Sequence, residues 1–309
     1  MVITNESLRE GESVPVLNAD NVQVKQGKTN LRVTHVLPAQ GESAALQLFI
    51  LIDDTCDPSI GNNLTDIRDF VGALPATTLV AIGYMSNANV QVVQDFTMDH
   101  AAAAKAVRLP RGNLSASDSP YLSLISIIKR WPQQKVRRQI IIVTDGIDRL
   151  RGTNQATNPF NTSTSANPRG GAMMRGRSTF GAGAGAGPDS MATISVDAEQ
   201  ASVLAQRTNV IVNGVYSPGV GRVGRNSWEA QIGQGGIGKI ADETGGEYFA
   251  LGFQNPVSFK PYLDRLQTIF NNQYFLVFEA FPKKKGGLQR VKISSNATTS
   301  EIAAADNVW

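Results

Sequence analysis

Two aspartates stand at the ends of apolar runs. Asp53 closes Leu46-Gln47-Leu48-Phe49-Ile50-Leu51-Ile52, and Asp145 follows Ile140-Ile141-Ile142-Val143 after a single Thr144. Carboxylates gathered at strand ends suit a hard divalent cation, which prefers oxygen ligands. Oxygen-bearing neighbours surround both acids, in Asp53-Asp54-Thr55-Cys56-Asp57-Pro58-Ser59 and in Thr144-Asp145-Gly146-Ile147-Asp148. A third polar stretch, Ser115-Ala116-Ser117-Asp118-Ser119-Pro120, offers further oxygens, and Ser117, Asp118 or Ser119 could each serve.

Other chemistry is sparse. His35 and His100 are the two histidines, and with no His/Cys cluster a zinc site is not expected. Cys56 is the one cysteine, so no internal disulfide can form. Carboxylates beside it raise a thiol pKa, which argues against a nucleophile. Gly219, Gly221, Gly224 and Gly233, Gly235, Gly238 both match Gly-x-Gly-x-x-Gly. Neither set lies in the first strand-to-helix turn of a βαβ unit, the context that dinucleotide binding requires. No Ser–His–Asp arrangement or strand-to-helix nucleophile turn is readable. Lys283-Lys284-Lys285 before Gly286-Gly287 reads as a solvated hairpin turn.

The elements that must position the acids follow from apolar spacing. The continuous runs at 46–52 and 140–143 suit strands buried on both faces of a parallel sheet. Ile60, Leu64, Ile67, Val71 and Leu74 fall on one helical face that ends at Pro75. Strands are expected at Thr78–Tyr84 and Val90–Val93, and an Ala-rich helix over 99–107. Pro120 opens a helix carrying Tyr121, Leu124, Ile128 and Trp131. Next come a helix at 197–207, strand Val210–Val215, a helix near 237–244 and strand Glu247–Leu251. A helix with Tyr262, Leu266, Ile269 and Phe270 then leads into strand Tyr274–Phe281. This alternation predicts an α/β, Rossmann-like, doubly wound and mostly parallel sheet. Residues 14–37 read as a hairpin turning at Gln26-Gly27-Lys28, and the tail holds strands near Arg290–Ile293 and Ile302–Val308. The two ends together are expected to form a small β annex.

Three parts result: an N-terminal β segment at 1–43, the α/β domain at 44–281, and a C-terminal β segment at 282–309. Residues 151–192 interrupt the domain with Asn, Thr, Ser, Pro and a Gly-Ala repeat, and carry Arg151, Arg169, Arg175 and Arg177. They read as a flexible basic insertion that could overhang the Asp145 end of the sheet.

The chain has 309 residues, 41% hydrophobic and 18% charged, with a net charge of +3. That supports a sizeable core and gives no basic footprint for a nucleic-acid partner. No apolar run approaches the ~20 residues that span a bilayer. The N-terminus lacks a basic-then-apolar leader, which leaves a cytosolic protein or an absent leader as alternatives.

Around the acids the chain resembles the von Willebrand factor A family, whose metal-ion-dependent adhesion site begins with Asp-x-Ser-x-Ser after the first strand. A Thr from a later loop and the Asp of a strand-end Asp-Gly complete that site. Asp53 matches the first Asp, Thr55 the first Ser, and Asp145-Gly146 the strand-end pair. Ile240-Ala241-Asp242-Glu243-Thr244-Gly245-Gly246-Glu247-Tyr248-Phe249 resembles the family's late helix, turn and strand. The flanks are similar to bacterial, acidobacterial-type proteins related to von Willebrand A. Asp57 replaces the second Ser, and no clear Thr occupies 115–119, where Asp118 stands.

The resemblance implies a non-enzymatic protein-binding or adhesion module, secreted or in the cell envelope. It implies Mg2+, Mn2+ or Ca2+ at Asp53, Thr55, Asp57, Asp118 and Asp145, and a protein ligand presenting an acidic side chain. Extra acids at Asp57 and Asp118 would satisfy the ion internally and weaken that capture. Two alternatives stand beside this one. In the first, the domain is a structural scaffold whose site has decayed, with Asp53 and Asp54 serving as acids at a helix N-terminus. The second is a nucleotide-using Rossmann-like enzyme.

Overall fold

The computed structural model describes residues 1–8, 14–132, 134, 136–150, 195–221, 227–252, 255–281, 286–296 and 299–309. The expected insertion at 151–192, the triple lysine at 283–285 and Gly224 lie outside the described residues. In chain order the strands are β1 (Val2–Ser7), β2 (Val22–Gln26), β3 (Thr29–Leu31), β4 (Val33–Pro38), β5 (Leu46–Asp53), β6 (Thr78–Ser86), β7 (Asn89–Thr97), β8 (Arg137–Thr144), β9 (Val210–Tyr216), β10 (Tyr248–Phe249), β11 (Gln273–Phe278), β12 (Gln289–Arg290), β13 (Lys292–Ser295), β14 (Ser300–Ala304) and β15 (Asn307–Val308). The helices are α1 (Leu64–Ala73), α2 (His100–Ala106), α3 (Pro120–Arg130), α4 (Val196–Thr208), α5 (Ser227–Thr244) and α6 (Lys260–Asn271).

The apolar runs build the centre. β5 and β8 are buried along their whole length and pair in parallel, Ile50 opposite Ile141. The six-stranded sheet runs β10-β9-β8-β5-β6-β7, with β7 antiparallel at one edge. Counted within the sheet, this is the doubly wound order 3-2-1-4-5-6. Alternate residues of β5 serve the two faces. Leu46, Leu48, Ile50 and Ile52 pack with residues of α1, α2 and α6, whereas Phe49 and Leu51 pack with residues of α3, α4 and α5. The winding reverses between β5 and β8, so the crevice beyond their carboxyl ends is where this architecture binds ligands. Asp53 and Asp145 stand there.

Three expectations need correction. The strand expected at Tyr274–Phe281 is β11, and it leaves the parallel sheet. It pairs antiparallel with β1 and β4, in a four-stranded sheet ordered β14-β1-β11-β4. Its apolar run resembles a buried strand, yet Val277 faces solvent. The helix expected near 237–244 begins at Ser227, since Gly233, Gly235, Gly236 and Gly238 hide a helix from propensity. The helix over 60–74 is a 3-10 turn at Pro58–Asn63 followed by α1.

The β annex is present. β1 pairs with β14, bringing both chain ends into one sheet. β13-β2-β3 and β12-β15 complete the annex over a separate core of Ile3, Leu17, Val22, Val24, Leu31, Leu276 and Val291. A buried polar relay joins annex to domain. Gln139 Nε2 and Arg137 Nη1 on β8 donate to Gln273 Oε1 on β11 at 2.7 and 2.9 Å. Asn213 Nδ2 on β9 donates to Gln139 Oε1 at 3.0 Å. A buried amide left without its partner costs ~1–3 kcal/mol. Gln273→Ala therefore lowers the free energy of unfolding by about that amount, read as a shift in the urea midpoint; an unchanged midpoint would mean the relay is energetically idle.

Candidate functional site at the strand ends

Asp53 ends β5 inside the protein. Its Oδ1 accepts from the Thr55 amide at 3.0 Å and the Thr55 hydroxyl at 2.7 Å. Its Oδ2 accepts from the Thr144 hydroxyl at 2.7 Å. Burial, then the neighbouring Asp145 carboxylate, push Asp53 up to about 6, against the pull of Arg149 and the two hydroxyls. The Asp-x-Thr motif is thus a closed turn in which Thr55 holds the aspartate from below and Thr144 bridges to the neighbouring strand.

Asp145 is also buried. It faces the guanidinium of Arg149, four residues on, in an ion pair with Asp145 Oδ2, and Asp145 Oδ1 accepts from the Ile147 amide at 2.9 Å. The Arg149 side chain is only 8% exposed. Burial works against its charge, but Asp145, Asp53 and Asp118 outweigh that and raise its pKa above the ordinary value. The Arg149 amide donates to the Asp118 carbonyl at 2.9 Å, so the loop carrying Arg149 is anchored to the loop carrying Asp118.

Asp118 lies over the same crevice. It shares with Asp53, Ser86 and Ser119 the lining of a cavity of about 10 Å3, room for roughly one water. Its Oδ1 accepts from the Asn87 amide at 2.7 Å and its Oδ2 from the Ser115 amide at 2.6 Å. Ser119 is the N-cap of α3. Asp57 stands apart from this group. It caps the 3-10 turn, accepting from the Ser59 amide at 3.0 Å and the Ser59 hydroxyl at 2.5 Å, and these bonds hold its carboxyl below the usual range despite partial burial. Of the five residues predicted from sequence, Asp53, Thr55, Asp118 and Asp145 come together and Asp57 does not.

Sequence reasoning missed Arg149, Thr144 and the role of Asp54. Asp54 points away from Asp53 and receives Arg108 Nη1 and Nη2 at 2.7 and 3.1 Å and the Arg111 amide at 2.8 Å. This fork ties the loop after α2 to β5, and Arg108 also lies 3.7 Å from the centre of the Tyr84 ring. The helix N-terminal role considered for Asp54 is therefore replaced by an ion pair. For Arg149 the available signal was its spacing of four from Asp145.

The second Gly-x-Gly-x-x-Gly stretch has a packing role. A Cβ at Gly233 would lie 2.1 Å from the Asp145 carbonyl, and one at Gly236 would lie 2.0 Å from the Tyr121 hydroxyl. Gly146 has φ of +72°, and its own Cβ would lie 2.3 Å from the Gly233 carbonyl. These glycines let α5 press against the Asp145-Gly146 turn, while Tyr121 donates to the Gly146 carbonyl at 2.7 Å.

A divalent ion wants about six or more oxygen donors around it. Among the described residues no three His, Cys, Asp or Glu side chains converge as a cation site. The Asp53 oxygens already hold three donors, and Asp145 faces a guanidinium. The donor set as arranged does not fit such an ion.

No family model and no curated relative matches the chain. Similar solved structures include an aerotolerance-related membrane protein from Bacteroides fragilis, at 11% identity and TM-score 0.44 over 74% of this chain and 99% of that one. Manganese-loaded TRAP protein from Plasmodium vivax is similar at 12% identity and TM-score 0.43, over 87% and 94%. The VWA domain of SpRpn10 is similar at 13% identity and TM-score 0.33, over 67% and 87%.

Thr144→Val keeps the side-chain shape but removes the donor to Asp53 and the acceptor of the Gly146 amide, which lies at 3.0 Å. It should destabilise by ~1–3 kcal/mol in a denaturant titration; an equal or higher midpoint would show that the threonine bridge is dispensable. The 3-2-1-4-5-6 sheet gives this chain a doubly wound, Rossmann-like α/β fold, with an Asp-x-Thr turn after the first parallel strand and an Asp-Gly at the end of the adjoining fourth strand.

Proposed function

We propose that the chain is a non-enzymatic protein-binding module whose contact surface is the strand-end face, a degenerate form of the family's adhesion site. The observation that carries this reading is a set of exposed apolar side chains on the loops over the buried charges. Leu109, Leu114 and Leu150 are each nearly half exposed, on the loops at 107–119 and 145–150. Leu114 and Leu150 flank Asp118, whose Oδ2 accepts from the Ser115 amide and whose carbonyl accepts from the Leu150 amide at 3.0 Å. Exposed apolar side chains beside the Asp118 loop suit macromolecular contact. The cavity at this floor is far smaller than the ~300–1,000 Å3 of small-molecule sites.

Among the described residues, Cys56 and His100 are not set up as nucleophile or general base at this floor. Burial, and next Asp53, push the Cys56 thiol well up, so it stays protonated. His100 bonds to the Thr78 carbonyl, at the opposite end of β6. No helix among the described residues is long and apolar enough to cross a membrane. An envelope or secreted location, implied by the family resemblance, belongs to the same proposal.

Leu114→Ser with Leu150→Ser should abolish capture of proteins that the wild-type chain retains from its native extract, with the melting temperature unchanged. Leu37→Ser with Val277→Ser, exposed positions on the annex, should leave capture intact. Loss with the annex variant and retention with the loop variant would refute the assignment.

A further inference from the structure

We infer that Arg149 is the resident cation of the strand-end site, held where a divalent ion would have to bridge Asp53 and Asp145, so that metal and Arg149 exclude one another. The inference rests on the reading of this face as the functional one, and it names what neutralises the face.

Three observations carry it. The first is position. Arg149 is the cation paired with Asp145, and its charge is also felt by Asp53 and Asp118. A divalent ion placed among these carboxylates would meet a fixed positive charge already in contact with one of them, and like charges at such range repel strongly in a buried setting.

The second is accommodation by the fold. Gly219, on the loop after β9, would place a Cβ 2.6 Å from Asp145 Oδ2 and 2.7 Å from Arg149 Nη2. The chain is therefore bare at the point where the ion pair needs the space. The Arg149 backbone is fixed to the Asp118 carbonyl, so the arm starts from an anchored residue and turns inward.

The third is the bonding of the guanidinium. Arg149 Nε is buried with no hydrogen-bond partner, and Nη1 reaches the Ile147 carbonyl and Asp145 Oδ1 only at 3.4 Å. Arg137 shows another use of a buried guanidinium: its Nη atoms donate to the Phe270 and Ala44 carbonyls and to Gln273 Oε1 at 2.6–2.9 Å, all neutral acceptors. The shortest contact of Arg149, from Nη2, goes instead to a carboxylate, Asp145 Oδ2. That is the role of a counter-ion.

The test is Mn2+ binding, followed by calorimetry and by melting in EDTA or Mn2+, for the wild type and for Arg149→Met, which keeps the length and removes the charge. The wild type should show no Mn2+-dependent melting shift. Arg149→Met should melt lower in EDTA, rise on addition of Mn2+, and bind Mn2+ at least tenfold more tightly than the wild type. Equal affinity in both proteins, or binding in neither, would overturn the inference. If Arg149→Met fails to fold in EDTA, Arg149→Met with Asp145→Asn removes both members of the ion pair. Recovery of folding without metal supports charge neutralisation by Arg149, and continued failure refutes it. Capture through Leu114 and Leu150 is read separately. Retention of capture by the Leu114→Ser with Leu150→Ser variant, with the Mn2+ result intact, would sink the protein-binding reading alone.

Discussion

Two carboxylates at the ends of neighbouring buried strands cannot both be anions inside a protein unless a positive charge stands with them. Removing an ion from water carries a penalty of several kcal/mol even after the surroundings relax, on the order of the stability of a whole domain. Asp53 and Asp145 are in this position, and the surrounding structure is arranged to hold them. Hydroxyls of Thr55 and Thr144 solvate Asp53, and Arg149 answers Asp145. Even so Asp53 remains pushed up to about 6 by burial and by Asp145, a sign that its charge is only partly compensated.

Several distant features serve this arrangement. Gly233 on α5 and Gly146 allow backbone to press on backbone behind Asp145, Gly236 leaves room for Tyr121, and Gly219 leaves room beside Arg149. The fork from Arg108 to Asp54 fixes the loop that ends in the α3 N-cap, and so fixes Asp118. On the opposite side of the domain, the relay through Gln139, Gln273 and Asn213 ties the annex to β8 and β9. The annex thus braces β8, whose far end leads into Asp145.

The parallel core was legible because β5 and β8 are continuous apolar runs and α1, α3 and α6 place their apolar residues at helical spacing. The acids were legible because each interrupts such a run. What could not be read were features defined by a partner distant in sequence. β11 carries an apolar run like that of a core strand, and only its pairing with β1 and β4 places it in the annex. The glycines of α5 lower helix propensity, and the reason for them lies in the Asp145-Gly146 turn and Tyr121. Asp57 stood at the spacing of the motif's second Ser with an oxygen-bearing side chain, but the Pro58 turn claims its carboxylate as a cap. Arg149 lies beside a basic stretch that drew attention to Arg151 and beyond, and its inward direction depends on an anchor to Asp118.

The most direct test of the account is the position of the guanidinium when metal is offered. Crystals grown in chelator and soaked in Mn2+, measured at a wavelength where manganese scatters anomalously, would show it. No anomalous peak is expected between Asp53 and Asp145, and the Arg149 guanidinium should still pair with Asp145. A manganese peak bound by both aspartates, with Arg149 in place or swung into solvent, would contradict it.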